Sequence, residues 1–154
     1  MTGVKIEKIK RPEKIELPFM LDFYPLQDEN NTRISQFFKN LKEGRLTTTQ
    51  CGKCQKLLWP PRIICPECLS DKLEWIDLGT KGELYAFTEV RLGAPLGFVQ
   101  DAPFCIGFVK ISDLLLSTRL DDTAYEELHI GDKVQLKIVE LDDGRVFYRF
   151  TPTK

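Results

Sequence analysis

Five cysteines occur in this 154-residue sequence, and four of them fall into two matching motifs: Cys51-Gly-Lys-Cys54 and, after ten intervening residues, Cys65-Pro-Glu-Cys68. Two Cys-x-x-Cys turns at that separation form two knuckles that converge on one cation. Zinc suits the site, because it accepts four thiolates tetrahedrally without a d-electron preference. Iron can occupy the same four thiolates, as in rubredoxin-like sites, and the motif alone leaves both metals open. A thioredoxin-type redox pair needs one Cys-x-x-Cys in a strand–helix context, which these residues lack. Structural disulfides are not expected in a chain without a signal peptide. With four protein ligands no coordination position is left for a substrate, so the expected role is structural. Residues 46–75 are too few to build a core unaided, since folds below about 40 residues usually need a staple. A structural zinc supplies roughly 10–16 kcal/mol. Lys53, Lys56, Arg62 and Lys72 are near enough in sequence to offset the negative charge of such a centre.

Other reactive residues give no catalytic constellation. The single histidine, His129, stands in a Leu-His-Ile-Gly-Asp turn with no nucleophile beside it in sequence. Gly93, Gly97 and Gly107 fit neither phosphate-binding glycine pattern. Cys105, between Phe104 and Ile106 in a strand pattern, reads as a buried, inert thiol. No catalytic residue is expected, and the chain does not read as an enzyme.

The elements around the cysteines follow from periodicity. Ile34, Phe37, Phe38 and Leu41 repeat at helical spacing, predicting a helix over 32–43 with Asn31 or Thr32 as cap and Gly44 as stop. Residues 46–50 and 73–78 read as strands leading into and out of the cysteine cluster. The intervening 57–64 is expected to give the ribbon two short strands and a small apolar core. Strands follow over 82–92, 104–111 and 114–120, then a short helical turn over 123–128. Strands 134–141 and 145–150 come last, joined by an Asp143-Gly144 hairpin turn. Three strands, a short helix and two strands is the order of a five-stranded Greek-key OB barrel. The fold class is therefore mainly β: a helix and zinc ribbon followed by an OB-fold barrel. The divisions are 1–45 for an N-terminal arm and helix, 46–78 for the ribbon and 79–154 for the barrel. Pro12, Pro18 and Pro25 keep the arm extended, and Phe19, Met20, Leu21, Phe23 and Tyr24 are expected to pack on the body or a partner.

Composition narrows the function classes. No apolar run approaches the roughly 20 residues that span a bilayer, and the first residues lack an apolar signal core, so a cytoplasmic protein is expected. The net charge is −1, without the basic excess that drives nucleic-acid affinity. Residues 45–75 carry five basic against three acidic side chains, whereas 113–143 carry three against nine. A mildly basic front and an acidic back point to an anionic ligand or partner at the ribbon.

These features together resemble a known family, the stand-alone zinc-ribbon and OB-fold proteins long catalogued as a domain of unknown function. The resemblance runs over about 32–152. It rests on Phe37-Phe38 and Leu41 through Gly44-Arg-Leu46, the two knuckles with Trp59-Pro-Pro-Arg62 between them, Leu73-Glu-Trp75, Gly82-Glu-Leu-Tyr-Ala-Phe-Thr88, Gly131-Asp-Lys-Val134 and Phe147-Tyr-Arg-Phe150. The charged stretch 1–16 has no counterpart in that pattern. The resemblance implies a non-catalytic partner of thiolases and other acyl-CoA enzymes, one that binds an acyl-CoA or helps its partner hold one. In that setting Arg62 is the candidate for the CoA phosphates and Trp59 for stacking on adenine. Phe98, in the loop 92–98, is the candidate for an apolar slot. Each has a plainer reading: Trp59 as ribbon core, Arg62 as partner to an acid, Phe98 as a loop anchor. A single-stranded nucleic-acid module, the other use of ribbons and OB barrels, is the alternative function, disfavoured by the acidic barrel half.

Overall fold

The computed structural model describes residues 5–9, 25–94 and 98–153. The apolar run 19–24 and most of the charged stretch 1–16 lie outside the described residues. The elements run β1 (Lys5–Ile9), α1 (Ser35–Lys42), β2 (Thr47–Cys51), β3 (Leu57–Leu58), β4 (Leu73–Asp77), β5 (Lys81–Val90), β6 (Phe104–Ile111), β7 (Leu114–Leu120), β8 (Lys133–Leu141) and β9 (Val146–Pro152). A single 3-10 turn at Tyr125–Glu127 stands where the short helix was expected.

The last five strands close into a barrel in the order β8-β5-β6-β7-β9, with β9 returning to β8. This is the OB arrangement. Alternation fixes which side chains enter it: Cys105, Val109 and Ile111 of β6 point inward while Ile106, Phe108 and Lys110 point outward. Leu84, Leu116, Leu136, Ile138 and Phe150 complete an apolar centre. The barrel must bend to close, and β5 does so at an irregularity between Leu84 and Ala86. Opposite it, a Cβ at Gly107 would lie 2.6 Å from the Ala86 carbonyl oxygen, so only glycine lets the strands approach.

β1 was not foreseen from the sequence. It adds parallel to β8 over Lys137 to Leu141, beside the stretch of β8 that β5 has already paired through Gln135. Glu7 of β1 meets Lys137 Nζ at 2.6 Å.

α1 begins three residues later than expected. Its N-cap is Ile34, with no side-chain cap; the residues before it are folded into a turn on Asp28, whose carboxylate accepts from the Asn30 amide at 2.9 Å. The stop is as expected. Gly44 takes φ +80°, its N–H donates to the Leu41 carbonyl and Arg45 N–H to that of Asn40, both at 2.9 Å, a Schellman closure. Phe37, Phe38 and Leu41 are buried against the barrel. Asn40, also buried, donates to Thr47 Oγ1 at 2.9 Å and ties the helix to β2.

Candidate metal centre and the adjoining groove

The three-stranded ribbon sheet, in the order β3-β2-β4, ends at the cysteines. The two knuckles are built alike. Gln55 N–H donates to the Cys51 carbonyl at 2.8 Å and Leu69 N–H to that of Cys65 at 2.9 Å. Cys51 N–H reaches the Lys56 carbonyl and Cys65 N–H that of Ser70, each at 2.9 Å. Gln55 (φ +62°) and Leu69 (φ +57°) take the left-handed conformation that closes each turn. Sequence gave no signal for either, because both are non-glycine residues held there by the knuckle. Gly52 lies where the backbone meets Lys72, to whose carbonyl its N–H donates at 2.8 Å.

The four sulfurs all lie within 4.8 Å of one another, with Cys51–Cys68 and Cys54–Cys65 at 3.5 Å. A tetrahedral ion with metal–sulfur bonds near 2.3 Å would set its ligands about 3.8 Å apart, so the donor set fits such an ion. The backbone favours a thiolate at Cys51. Amide N–H groups of Cys54 and Lys53 hold the Cys51 thiol down to about 6. At Cys54 the Lys56 amide acts in the same direction, but burial and the crowding thiols of Cys65, Cys51 and Cys68 outweigh it and push that group up to about 12. Four thiols this close need a cation before all can ionise. Cys51 and Cys65 are buried, Cys68 half-buried and Cys54 exposed. Of the nearby cations, Lys56 is engaged by Glu67 at 2.7 Å in an exposed pair.

The ribbon's apolar interior is smaller than expected. Leu58 and Leu73 pack on the sulfurs, while Ile63 and Ile64 are 42% and 49% exposed. Only Leu57 and Leu58 of the 57–64 segment form a strand, because the two prolines that follow cannot donate to a ladder. From Leu58 onward the segment crosses to the barrel. Thr48 Oγ1 donates to the Leu58 carbonyl, and Arg62 N–H donates to Thr49 Oγ1 at 2.9 Å. Trp59 therefore leaves the ribbon core and packs among the barrel and helix residues. Its ring stands edge-to-face with Phe37 at 5.9 Å and Tyr148 at 5.6 Å, and those two are 6.4 Å apart.

These rings line a groove of about 390 Å³ between α1, the ribbon loop and β9, which Pro60, Pro61 and Phe98 also line. The structure thus brings Trp59 and Phe98 to one place. Arg62 is not part of that lining; it follows directly on Pro60 and Pro61 and is exposed. Phe37, Tyr148 and Val146 were not singled out as site residues from sequence, since their spacing reads only as core. Tyr148 donates its hydroxyl to the Ser117 carbonyl at 2.9 Å, and burial pushes its phenol up to about 12, so it stays neutral. His129 is exposed, with Nδ1 4.0 Å from Asp132. Cys105 is 3% exposed, its thiol pushed up by burial. No helix among the described residues is long and apolar enough to cross a membrane.

Comparison with known proteins matches this architecture segment by segment. Residues 38–74 match the family model described as "ChsH2, rubredoxin-like zinc ribbon domain", and 75–139 match "ChsH2, C-terminal OB-fold domain". A DUF35 domain-containing scaffold protein of Pyrococcus furiosus is 32% identical over 126 residues, covering 77% of this chain and 90% of that protein. One of the same description from Methanocaldococcus jannaschii is 27% identical over 82% of this chain and 92% of its own length. The benzoylsuccinyl-CoA thiolase subunit BbsA of Thauera aromatica is 25% identical over 62% of this chain and 65% of that subunit. Among solved structures, a chain of the "Ltp2-ChsH2(DUF35) aldolase" superposes with TM-score 0.67 at 25% identity, covering 77% of this chain and 92% of that one. The chain belongs to the ChsH2-type DUF35 family, a rubredoxin-like zinc ribbon followed by an OB-fold domain, whose named members include scaffold proteins.

Proposed function

We propose that this chain is a non-catalytic cytoplasmic accessory protein that binds an acyl-CoA and holds it for a partner enzyme of the thiolase class. In this reading Cys51, Cys54, Cys65 and Cys68 carry a structural zinc ion. The observation that carries it is the apolar groove formed where the ribbon loop meets the barrel. Trp59 and Phe98 line that groove and offer the acyl arm an apolar surface, and the exposed Arg62 next to Pro61 offers a cation for the phosphates. Relatives named as scaffold proteins and as a thiolase subunit support the accessory role. When bound, the ion supplies no open coordination site; it holds the knuckles together.

Two measurements test this. Pull-down from native lysate followed by mass spectrometry is expected to recover a thiolase-like enzyme, and calorimetry to register acyl-CoA binding to the chain alone or with that enzyme. Failure of both sinks the reading. Elemental analysis is expected to give one zinc per chain; stoichiometric iron would replace zinc in this account. The alternative, a single-stranded nucleic-acid module, draws on the exposed Tyr85 and Phe108 of β5 and β6. Against it, Arg119 on that barrel wall is tied to Asp101 at 2.6 Å and so is already neutralised. Salt-dependent binding to single-stranded RNA would favour that alternative.

A further inference from the structure

We infer that the groove takes the acyl end of the bound thioester and is built for a ring-bearing acyl group, not for adenine and not for a two-carbon acyl. This rests on the acyl-CoA reading above and specifies the ligand.

The lining excludes the nucleotide end. Among the described residues, no Lys, Arg, Asp or Glu lines the groove. The hydroxyl of Tyr148 already donates to the Ser117 carbonyl. Phosphates need cations or amide donors, and adenine's edge needs hydrogen-bond partners; burying either group here would leave polar atoms unmatched. An apolar group has no such cost.

Size and ring geometry narrow the apolar group. An apolar cavity of about 150 Å³ suffices for benzene. At about 390 Å³ this groove has room for a ring with its linker and leaves most of its wall untouched by an acetyl methyl. Phe37, Trp59 and Tyr148 form a triangle of edge-to-face contacts, with interplanar angles of 75°, 79° and 75°. Rings already so arranged present edges and faces against which a further ring packs favourably. The walls are also set before binding: Phe37 sits on the helix stopped by Gly44, Tyr148 on β9, and Trp59 on the loop hung from Thr48 and Thr49. A preformed wall spends little of the binding energy on ordering.

The test uses the metal-loaded full chain carrying Trp75→Phe, so that indole emission reports Trp59 alone. Titration with benzoyl-CoA, acetyl-CoA and CoA is expected to show half-saturation at a benzoyl-CoA concentration at least about tenfold below that for acetyl-CoA, with CoA weakest. Methyl NMR is expected to place the largest benzoyl-dependent shifts at Ile34, Leu41 and Val146. Trp59→Ala should abolish the preference. Since that variant also removes a packed ring, Phe98→Ala, at the groove's rim, provides a second reading and should weaken benzoyl-CoA several-fold more than acetyl-CoA. Equal binding of the acetyl and benzoyl thioesters overturns this inference while leaving the accessory role standing. Methyl shifts away from the groove, or a response only to a partner enzyme with no acyl-CoA bound, also overturn it.

Discussion

Cys68 closes the second knuckle, 3.5 Å from Cys51 and with its sulfur facing the other three ligands. Cys68→Ser removes one of four thiolates from a site whose metal supplies roughly 10–16 kcal/mol to a fragment with two apolar residues at its centre. The expected result is loss of stoichiometric metal by elemental analysis and collapse of ribbon amide resonances while barrel resonances persist; full metal retention would contradict it. Asn40 is a different kind of dependence. Its amide donates to Thr47 and its oxygen accepts from Gln36 at 2.8 Å and Arg45 at 3.0 Å, all at a side chain 2% exposed. Asn40→Ala is expected to cost about 1–3 kcal/mol in denaturant unfolding, because Thr47 and its neighbours lose a buried partner. Residue placement was legible where chemistry forces spacing: two Cys-x-x-Cys turns bring four sulfurs together, as the structure has them. It was not legible for Gln55 and Leu69, whose left-handed backbone is imposed by the turn and leaves no trace in residue type.

At the level of elements, the barrel strands could be read because inward and outward residues alternate, as on β6, and because Asp143-Gly144 announces a hairpin. β1 could not. A parallel strand arriving from far along the chain has no turn signal, and its Glu7 serves a buried charge instead of an apolar face. That charge is Lys137, 4% exposed, with Glu7 at 2.6 Å, Asp122 at 3.2 Å and Asp121 at 3.3 Å. Asp121 is shared with Arg149 at 3.0 Å, at the one register point where β7 meets β9. Burial alone would lower the lysine's pKa, but Glu7, Asp122 and Asp121 outweigh it and raise it. The sign follows from linkage: a raised folded value stabilises the protein fully below the unfolded lysine's pKa of about 10.4 and ceases to do so as pH climbs through the folded value. Stability of the wild-type chain should therefore fall above about pH 10.4 more steeply than that of Lys137→Met. Lys137→Ala should cost about 1–3 kcal/mol at neutral pH, less than a wholly buried pair because Glu7 and Asp122 remain partly in water. Urea midpoints across the alkaline range check both.

Considered as a whole, the molecule places a ribbon with a four-cysteine metal-binding site beside a barrel with its own apolar core, and residues of both line the groove. Leu58 packs on the sulfurs while its neighbour Trp59 packs on the barrel, so the packing of the cysteine cluster and the groove wall are one peptide bond apart. Stripping the metal with a chelator is expected to shift Trp59 emission toward that of a solvated indole and to abolish binding in the groove. Reciprocally, a ligand in the groove should raise the affinity for the metal by the factor by which the metal raises the affinity for the ligand. Unchanged emission after complete metal removal would show that the loop stands without the ion. The sixth strand has a consequence for how the protein is handled. With β5 paired to β8 only through Gln135, Lys5–Ile9 alone among the described residues covers the backbone of residues 137–141 on that side. A recombinant form trimmed of its first nine residues would lose β1 and leave the amides and carbonyls that 137–141 direct to that edge unpaired, a template on which another molecule's chain can be laid down. Light scattering should then show growing particles where the untrimmed chain stays dispersed, so affinity handles belong at the other end of the chain.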